Sequence, residues 1–231
     1  MEWADDVFAI ENRSEPSGFV KRIWRCRSVD LPSFISVAMP TWQIVFVQGA
    51  DGAVEAVARG PETLATRSGI PPDAEIFGIQ FALGSFLPDY PVTGLVDTAD
   101  PLRVEGRRDF WLNRERFELP TFDNADVFVD RLVRSGTLVR DPVIEQTLRR
   151  RPVSLSERSI QRRFMRATGL TYATLRQMER AEQAAGLLRG GARILDVVDD
   201  LGYSDQAHLT RSLRRFLGIT PARIGKAGSG A

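Results

Sequence analysis

Apolar positions along this chain follow two different periods. Up to about residue 100 they come in short runs: "GFVKRIWRCRS" (18–28), "SFISVAM" (33–39), "WQIVFVQ" (42–48), "AVEAVA" (53–58) and "EIFGIQFAL" (75–83). These runs are rich in the β-branched and aromatic residues that suit a pleated, half-buried surface. Turn signals bound them: Pro32, Pro40, "GADG" at 49–52, Gly60-Pro61 and "GIPPD" at 69–73. The runs on either side of "GADG" predict a β-hairpin with a four-residue loop. Short strands at roughly ten-residue spacing predict a small barrel or sandwich. A helix is predicted within 107–117.

From about residue 122 the period becomes helical. "NADVFVDRLVRS" sets Val127, Phe128, Leu132 and Val133 along one stripe, with Asn124 as N-cap. Asp141 before Pro142 is the start signal of another helix. "TYATLRQMERAEQAAGLLRGG" (171–191) predicts a long helix, capped by Thr171 and ended by Gly190-Gly191. "ILDVVDDLG" places Ile194, Val197, Val198 and Leu201 on one face and stops at Gly202. The change of period puts a domain boundary near residue 121, with a β-rich part at 1–121 and a helical part at 122–231. The fold class expected is α+β in two domains.

The helical part repeats itself. Sliding the sequence by 49 residues aligns "IQRRFMRATGLT" (160–171) with "LTRSLRRFLGIT" (209–220) without a gap. Arg162 meets Arg211, Phe164 meets Leu213, Arg166 meets Arg215, and Gly169 meets Gly218. A shorter helix and a bend precede each copy: "PVIEQTLRRRPVSLS" and "ILDVVDDLGYS". Two short helices around a tight turn, stated twice, form a tandem helix-turn-helix, with units at 142–167 and 194–217 joined by the helix at 171–189.

At 3.6 residues per turn the faces of the second helices separate cleanly. Ile160 and Phe164 lie on one side of the first, with Arg158, Arg162, Met165 and Arg166 on the other and Gln161 on the shoulder. In the second, Leu209, Leu213 and Phe216 face inward. Ala207, Arg211, Arg214 and Arg215 face outward, with Gln206 and Thr210 on the shoulder and His208 near the edge. Folding its own domain requires the apolar side of such a helix. The arginine side is free for a polyanion.

"SERSIQRRFMRATGLT", the long linking helix and "ILDVVDDLGYSDQAHLTRSLRRFLGITP" together resemble the DNA-binding domain of AraC/XylS-family transcription regulators. The resemblance covers roughly residues 123–224. It implies a cytoplasmic, bacterial-type regulator whose partner is double-stranded DNA, with the second helix of each unit in a major groove. Carried over by position, it assigns base reading to Arg158, Gln161 and Arg162, and to Gln206, Ala207, His208, Thr210 and Arg211. The residue types suit base recognition, since Arg bonds guanine O6 and N7, Gln bonds adenine N6 and N7, and Thr touches a thymine methyl. Arg166, Arg214 and Arg215 are read as phosphate partners, and Thr171 and Thr220 as N-caps. The family usually has a glycine in the turn before the first of these helices. Here Ser154 stands there, in a turn one residue shorter than the second, which implies a different tilt or weaker base reading for the first unit.

Charge agrees. The formal net charge is only +1, but residues 141–231 carry 16 of the 31 Lys+Arg and 9 of the 30 Asp+Glu. The rest of the chain is left with an acidic excess, the asymmetry expected when one part faces a polyanion. Cys26 is the single cysteine and His208 the single histidine. This excludes an intrachain disulfide and the usual His- or Cys-based metal sites, and no cofactor is expected. A Ser-His-Asp catalytic unit is excluded from most of the chain, and an enzyme is not expected. "MEWADDVFAI" lacks the basic and apolar regions of a signal peptide, and no apolar run approaches the ~18 residues of a membrane span.

The resemblance also implies a cupin-like β-barrel before the DNA-binding part. Trp3, Trp24, Trp42 and Trp111 with Phe46, Phe77, Phe81 and Phe86 give this half aromatic surface. That surface serves either a barrel core or a pocket for a small-molecule effector, and the half could equally be a homodimerisation module. The rival reading of the whole chain is a ligand-binding or catalytic β-barrel whose helical part mediates protein contacts. A third, a DNA-repair protein built on such helices, would want a reactive cysteine cluster.

Overall fold

The computed structural model describes residues 9–28, 34–69 and 71–227. Trp3, Pro32, Ser33 and Ile70, which fall in the runs and turns named above, lie outside these residues, as does the segment 1–8.

The strands are β1 (Glu11–Arg13), β2 (Val20–Arg27), β3 (Phe34–Ser36), β4 (Gln43–Gln48), β5 (Val54–Arg59), β6 (Thr66–Ser68), β7 (Glu75–Phe81), β8 (Ser85–Phe86), β9 (Ala99–Leu102), β10 (Val104–Glu105), β11 (Asp109–Leu112) and β12 (Glu115–Glu118). Then come α1 (Ala125–Arg134), β13 (Val139–Arg140), α2 (Pro142–Leu148), α3 (Glu157–Thr168), α4 (Tyr172–Arg189), α5 (Ile194–Asp200), α6 (Gln206–Leu217) and α7 (Pro221–Ala227).

Six strands form an antiparallel sheet in the order β1-β2-β7-β4-β5-β9, and β3 pairs with β6 as a separate ribbon. The β4–β5 hairpin turns at the predicted loop, where Gly49 N–H donates to Ala53 O at 2.9 Å. The edges β1 and β9 do not pair, so the sheet is open and no closed barrel exists among the described residues. The chain after β9 turns instead into its own three-stranded meander, β10-β11-β12.

That meander replaces the helix predicted within 107–117. Phe110 and Leu112 are fully buried and alternate with half-exposed Trp111, a period of two. Asn113 and Arg114 both have positive φ, 50° and 66°. Two such residues between paired strands make the primed turn whose twist matches a hairpin.

The pleat gives the large sheet two apolar faces. Ile23, Ile44, Phe46, Ile79 and Phe81 join the main core, where full burial of each stabilises by about 1.5–3 kcal/mol. Val20 faces the same core three residues before Ile23 because a register shift lies between Val20 and Arg22. Trp24, Cys26, Val45, Val47 and Ile76 face the other way, where Phe34 of the ribbon packs on them.

Helix α1 buries Ala125, Phe128, Val129 and Leu132 at helical spacing. Val127, predicted on the inner stripe, is instead 66% exposed, because the small Ala125 belongs to that face and Val127 does not. Asn124 stands at the N-cap, but its Oδ1 accepts from Thr121 N–H at 2.7 Å rather than from the helix. Phe128 sits 5.4 Å from Phe117 and 5.6 Å from Phe110, and β13 pairs with β8. Residues of the helical half thus complete the core of the sheet-rich half. The same core continues through Ile144 and Phe164 to Leu209 and Leu213.

Candidate nucleic-acid interface

Helices α3 and α6 hold the same repeat positions and have the same ends. Each stops at a glycine in the left-handed region, Gly169 at φ 68° and Gly218 at φ 69°. Side chains of other residues rarely adopt that conformation. Ser156 caps α3 by accepting from Ser159 N–H. Asp205 caps α6 by accepting from His208 N–H at 2.6 Å. That hydrogen bond, with help from the Arg211 charge, holds the Asp205 carboxyl below the usual carboxylate range.

The inward faces are as expected: Phe164, Leu209 and Leu213 are fully buried, and Phe216 is 3% exposed. Arg158, Gln161, Arg162, Gln206, Ala207 and Arg211 are all exposed. Among the described residues, the side chains of Arg158, Gln161, Arg162, Gln206 and Arg214 make no hydrogen bond or ion pair. Such groups can meet an external acceptor without first breaking an internal bond.

Other candidates are already engaged. The half-buried His208 ring shares a hydrogen bond of 3.1 Å with Ser204 Oγ and stands edge-on to Tyr203, so it props its own turn. Thr210 Oγ1 donates to Gln206 O at 2.8 Å, so its hydroxyl is already used within the helix. Arg166 lies over Phe86 of the sheet-rich half and Arg215 over Phe216, although both remain exposed. Thr171 caps α4 by accepting from Thr174 N–H. Thr220 contributes its carbonyl oxygen to α7, accepting from Arg223 N–H.

Sequence reasoning missed the residues that fix these helices to their partners. Arg163 pairs at 2.9 Å with Asp141, the cap of α2, and so ties the two helices of the first unit. In the second unit Arg180 of the linking helix stacks on Tyr203, 4.4 Å from its centroid, and reaches Gly202 O. The turns themselves differ. The first runs from Arg149 to Ser156, the second only from Leu201 to Asp205, so the first is longer rather than shorter. Its left-handed residue is Arg150, at φ 53°, where the second turn has Gly202 at φ 67°. No feature of residue type marks Arg150 for that conformation, whereas Gly202 announces it.

Among the described residues there is no cluster of His, Cys, Asp or Glu able to hold a metal ion. Nor is there a helix long and apolar enough to cross a membrane.

The chain is similar to known proteins over this region. A family model described as "Helix-turn-helix domain" matches residues 151–227. The HTH-type transcriptional regulator RipA of Corynebacterium diphtheriae is 38% identical over 69 residues, 30% of this chain and 21% of that protein. RipA of Corynebacterium glutamicum is 34% identical over 79 residues, 33% of this chain and 24% of that protein. The match thus spans less than a quarter of the length of these curated relatives. No solved structure matches.

Proposed function

We propose, from a chain whose residues 151–227 form a helix-turn-helix domain of the AraC/XylS type, that the protein is a sequence-specific, DNA-binding transcription regulator. One observation carries the reading: two capped helices at equal repeat positions present Arg162 and Arg211 outward, both exposed. A fold-stabilising role would not require a guanidinium at that position twice.

In this reading α3 and α6 enter successive major grooves, about 34 Å apart on one face of the duplex. Arg158, Gln161, Arg162, Gln206 and Arg211 read base edges, while Ala207 and the methyl of Thr210 supply apolar contact. Arg166, Arg214 and Arg215 hold phosphates and set register. His208, committed to its turn, contributes position more than readout. The sheet-rich half serves as the effector or dimerisation part, the protein acts in the cytoplasm, and no catalytic step is assigned to it.

The test is selection of bound duplexes from a random pool, followed by anisotropy titrations with Arg162→Ala and Arg211→Ala. Each substitution should cost about 1–3 kcal/mol of discrimination at its own base pair. Affinity should also fall steeply with salt as counterions are released. Unchanged preference in both variants would remove the base-reading roles.

A further inference from the structure

Arg22, Gln80, Gln43 and Arg59 stand directly opposite one another across β2, β7, β4 and β5. Residues in register share a face, and this face is the one turned away from the main core. Strand β3 of the β3–β6 ribbon lies over it and borders an open-sided cavity of about 180 Å³. Trp24, Cys26, Phe34, Val45, Val47 and Ile76 line its body, and Arg22, Gln43, Arg59 and Ser36 bring polar atoms to one end. Gly78 lets the Trp24 indole lie flat on β7, since a Cβ there would overlap the ring.

The polar end has donors left over. Gln80 is fully buried and fully used: it accepts from Arg22 Nε at 2.9 Å and donates to Thr41 Oγ1 at 2.8 Å. Gln43, 7% exposed, accepts from Trp24 Nε1 at 3.3 Å. Its amide N–H2 donates to none of the described residues. Arg59 gives one arm to Glu62 at 2.5 Å, while its buried Nε has no partner. Glu62, behind the lining, accepts from Arg59 and Ser36 and leaves these donors unmet. Unmatched donors on two paired neighbours, where the described lining residues include two arginines and no carboxylate, call for an anionic acceptor.

The ribbon that roofs the cavity also seats the second recognition helix. Phe34 and Ser36 face inward, and Ile35 between them faces α6: a Cβ at Gly218 would lie 2.8 Å from Ile35 Cγ2 and 3.3 Å from Ala65. Ala38 N–H donates to Phe216 O and Ala65 N–H donates to Arg215 O, each at 2.7 Å. These carbonyls belong to the last turn of α6, where no helical N–H can reach them. The wall of the cavity and the seat of the helix are one layer of backbone.

We propose that this cavity binds a small carboxylic acid with an apolar body of about one six-membered ring, and that the ribbon passes its occupancy to α6. The size follows from comparison with a cavity of roughly 150 Å³ that takes up benzene. The carboxylate meets Gln43 and Arg59, and the ring lies against Trp24, Val45 and Ile76. Only the effect on DNA rests on the regulator reading above.

The test uses the full chain and three probes of one shape: cyclohexanecarboxylate, cyclohexanemethanol and cyclohexylmethylamine. In calorimetry the acid should saturate, with the alcohol and the amine weaker by about tenfold or more. Arg59→Met should weaken the acid by about tenfold. Val45→Phe, which fills the cavity and keeps β4 apolar, should abolish its binding even if Arg59→Met proves too unstable to use. An amine that binds as well as the acid, or undiminished binding to Val45→Phe, overturns the site. Hydrogen exchange at the Ala38 and Ala65 amides should change by about threefold or more on saturation, and unaltered exchange at both overturns the coupling. The acid should also change the affinity for a selected duplex. Ile35→Ala should remove that change while leaving acid binding intact, and persistence of the change in that variant counts against the ribbon. If the chain selects no duplex at all, the regulator reading falls, while calorimetry and exchange still judge the cavity and the ribbon.

Discussion

In the first helix-turn-helix unit, α3 is tied to α2 by Arg163 on Asp141, and its end lies against the 3-10 turn at Val92–Leu95 and against Val96. In the second, Tyr203 of the turn shares a hydrogen bond with Ser212 of α6 and is itself held by Arg180 of the linking helix, and the last carbonyls of α6 are bonded by the β3–β6 ribbon. The 49-residue repeat preserves the inward apolar positions, the outward arginine and the terminal glycine. It does not preserve the grip of the sheet-rich half. A duplicated unit keeps what its own fold and its ligand require, and each copy finds its own neighbours for the rest.

The largest effects should show what the two copies share. Phe164→Ala should cost about 3–5 kcal/mol and its repeat counterpart Leu213→Ala about 2–5 kcal/mol, since both side chains are fully buried. Denaturant titration of each variant checks this, and a neutral Leu213→Ala would show α6 to be loosely held. The glycine pair should separate the copies. Gly169→Ala and Gly218→Ala each cost about 1–2 kcal/mol for the left-handed conformation. Gly169→Ala should cost more in thermal unfolding, because its new Cβ would also press on Val92 O and the Thr93 backbone. At Gly218 the nearest atoms belong to the side chains of Ile35 and Ala65.

Smaller effects concern the charges. Arg214→Ala should weaken all duplexes alike and lower the salt slope by about 1. Arg166→Ala should do less in the same titration, because that guanidinium already rests on Phe86. The smallest effect separates the two caps. Asp205 has a lowered carboxyl pKa in the folded chain, so its contribution is complete above the unfolded value near about 4 and fades as pH falls through the folded one. Below that range the His208 amide should lose protection relative to its intrinsic exchange rate. The Ser159 amide, held by the uncharged Ser156, should not respond.

The helical half was the more legible because its signals are local. Caps at Asp141 and Thr171, the 3.6-residue period and the glycines after α3 and α6 all lie within a few residues of what they specify. Val127 falls off the inner stripe because the small Ala125 completes that face, and a stripe of large residues does not show it. In the sheet-rich half the strands showed, but their order did not. β7 between β2 and β4 is a long-range pairing, and the ribbon's hold on α6 joins residues far apart in the sequence. "DFWLNRERFE" carries a period of two and a turn at Asn113-Arg114, yet arginine in a primed turn is an unusual choice that hides the hairpin. At the interface, sequence placed the outward arginines correctly on their face. It could not show that His208 and Arg166 were already occupied, because their partners fold in from the turn and from β8.

The β3–β6 ribbon has a further consequence for engineering. Because adjacent positions on an extended strand answer to opposite neighbours, Phe34 and Ser36 can be randomised to admit a different guest while Ile35 goes on meeting the same helix. A library confined to alternate residues would alter what enters without altering what is told.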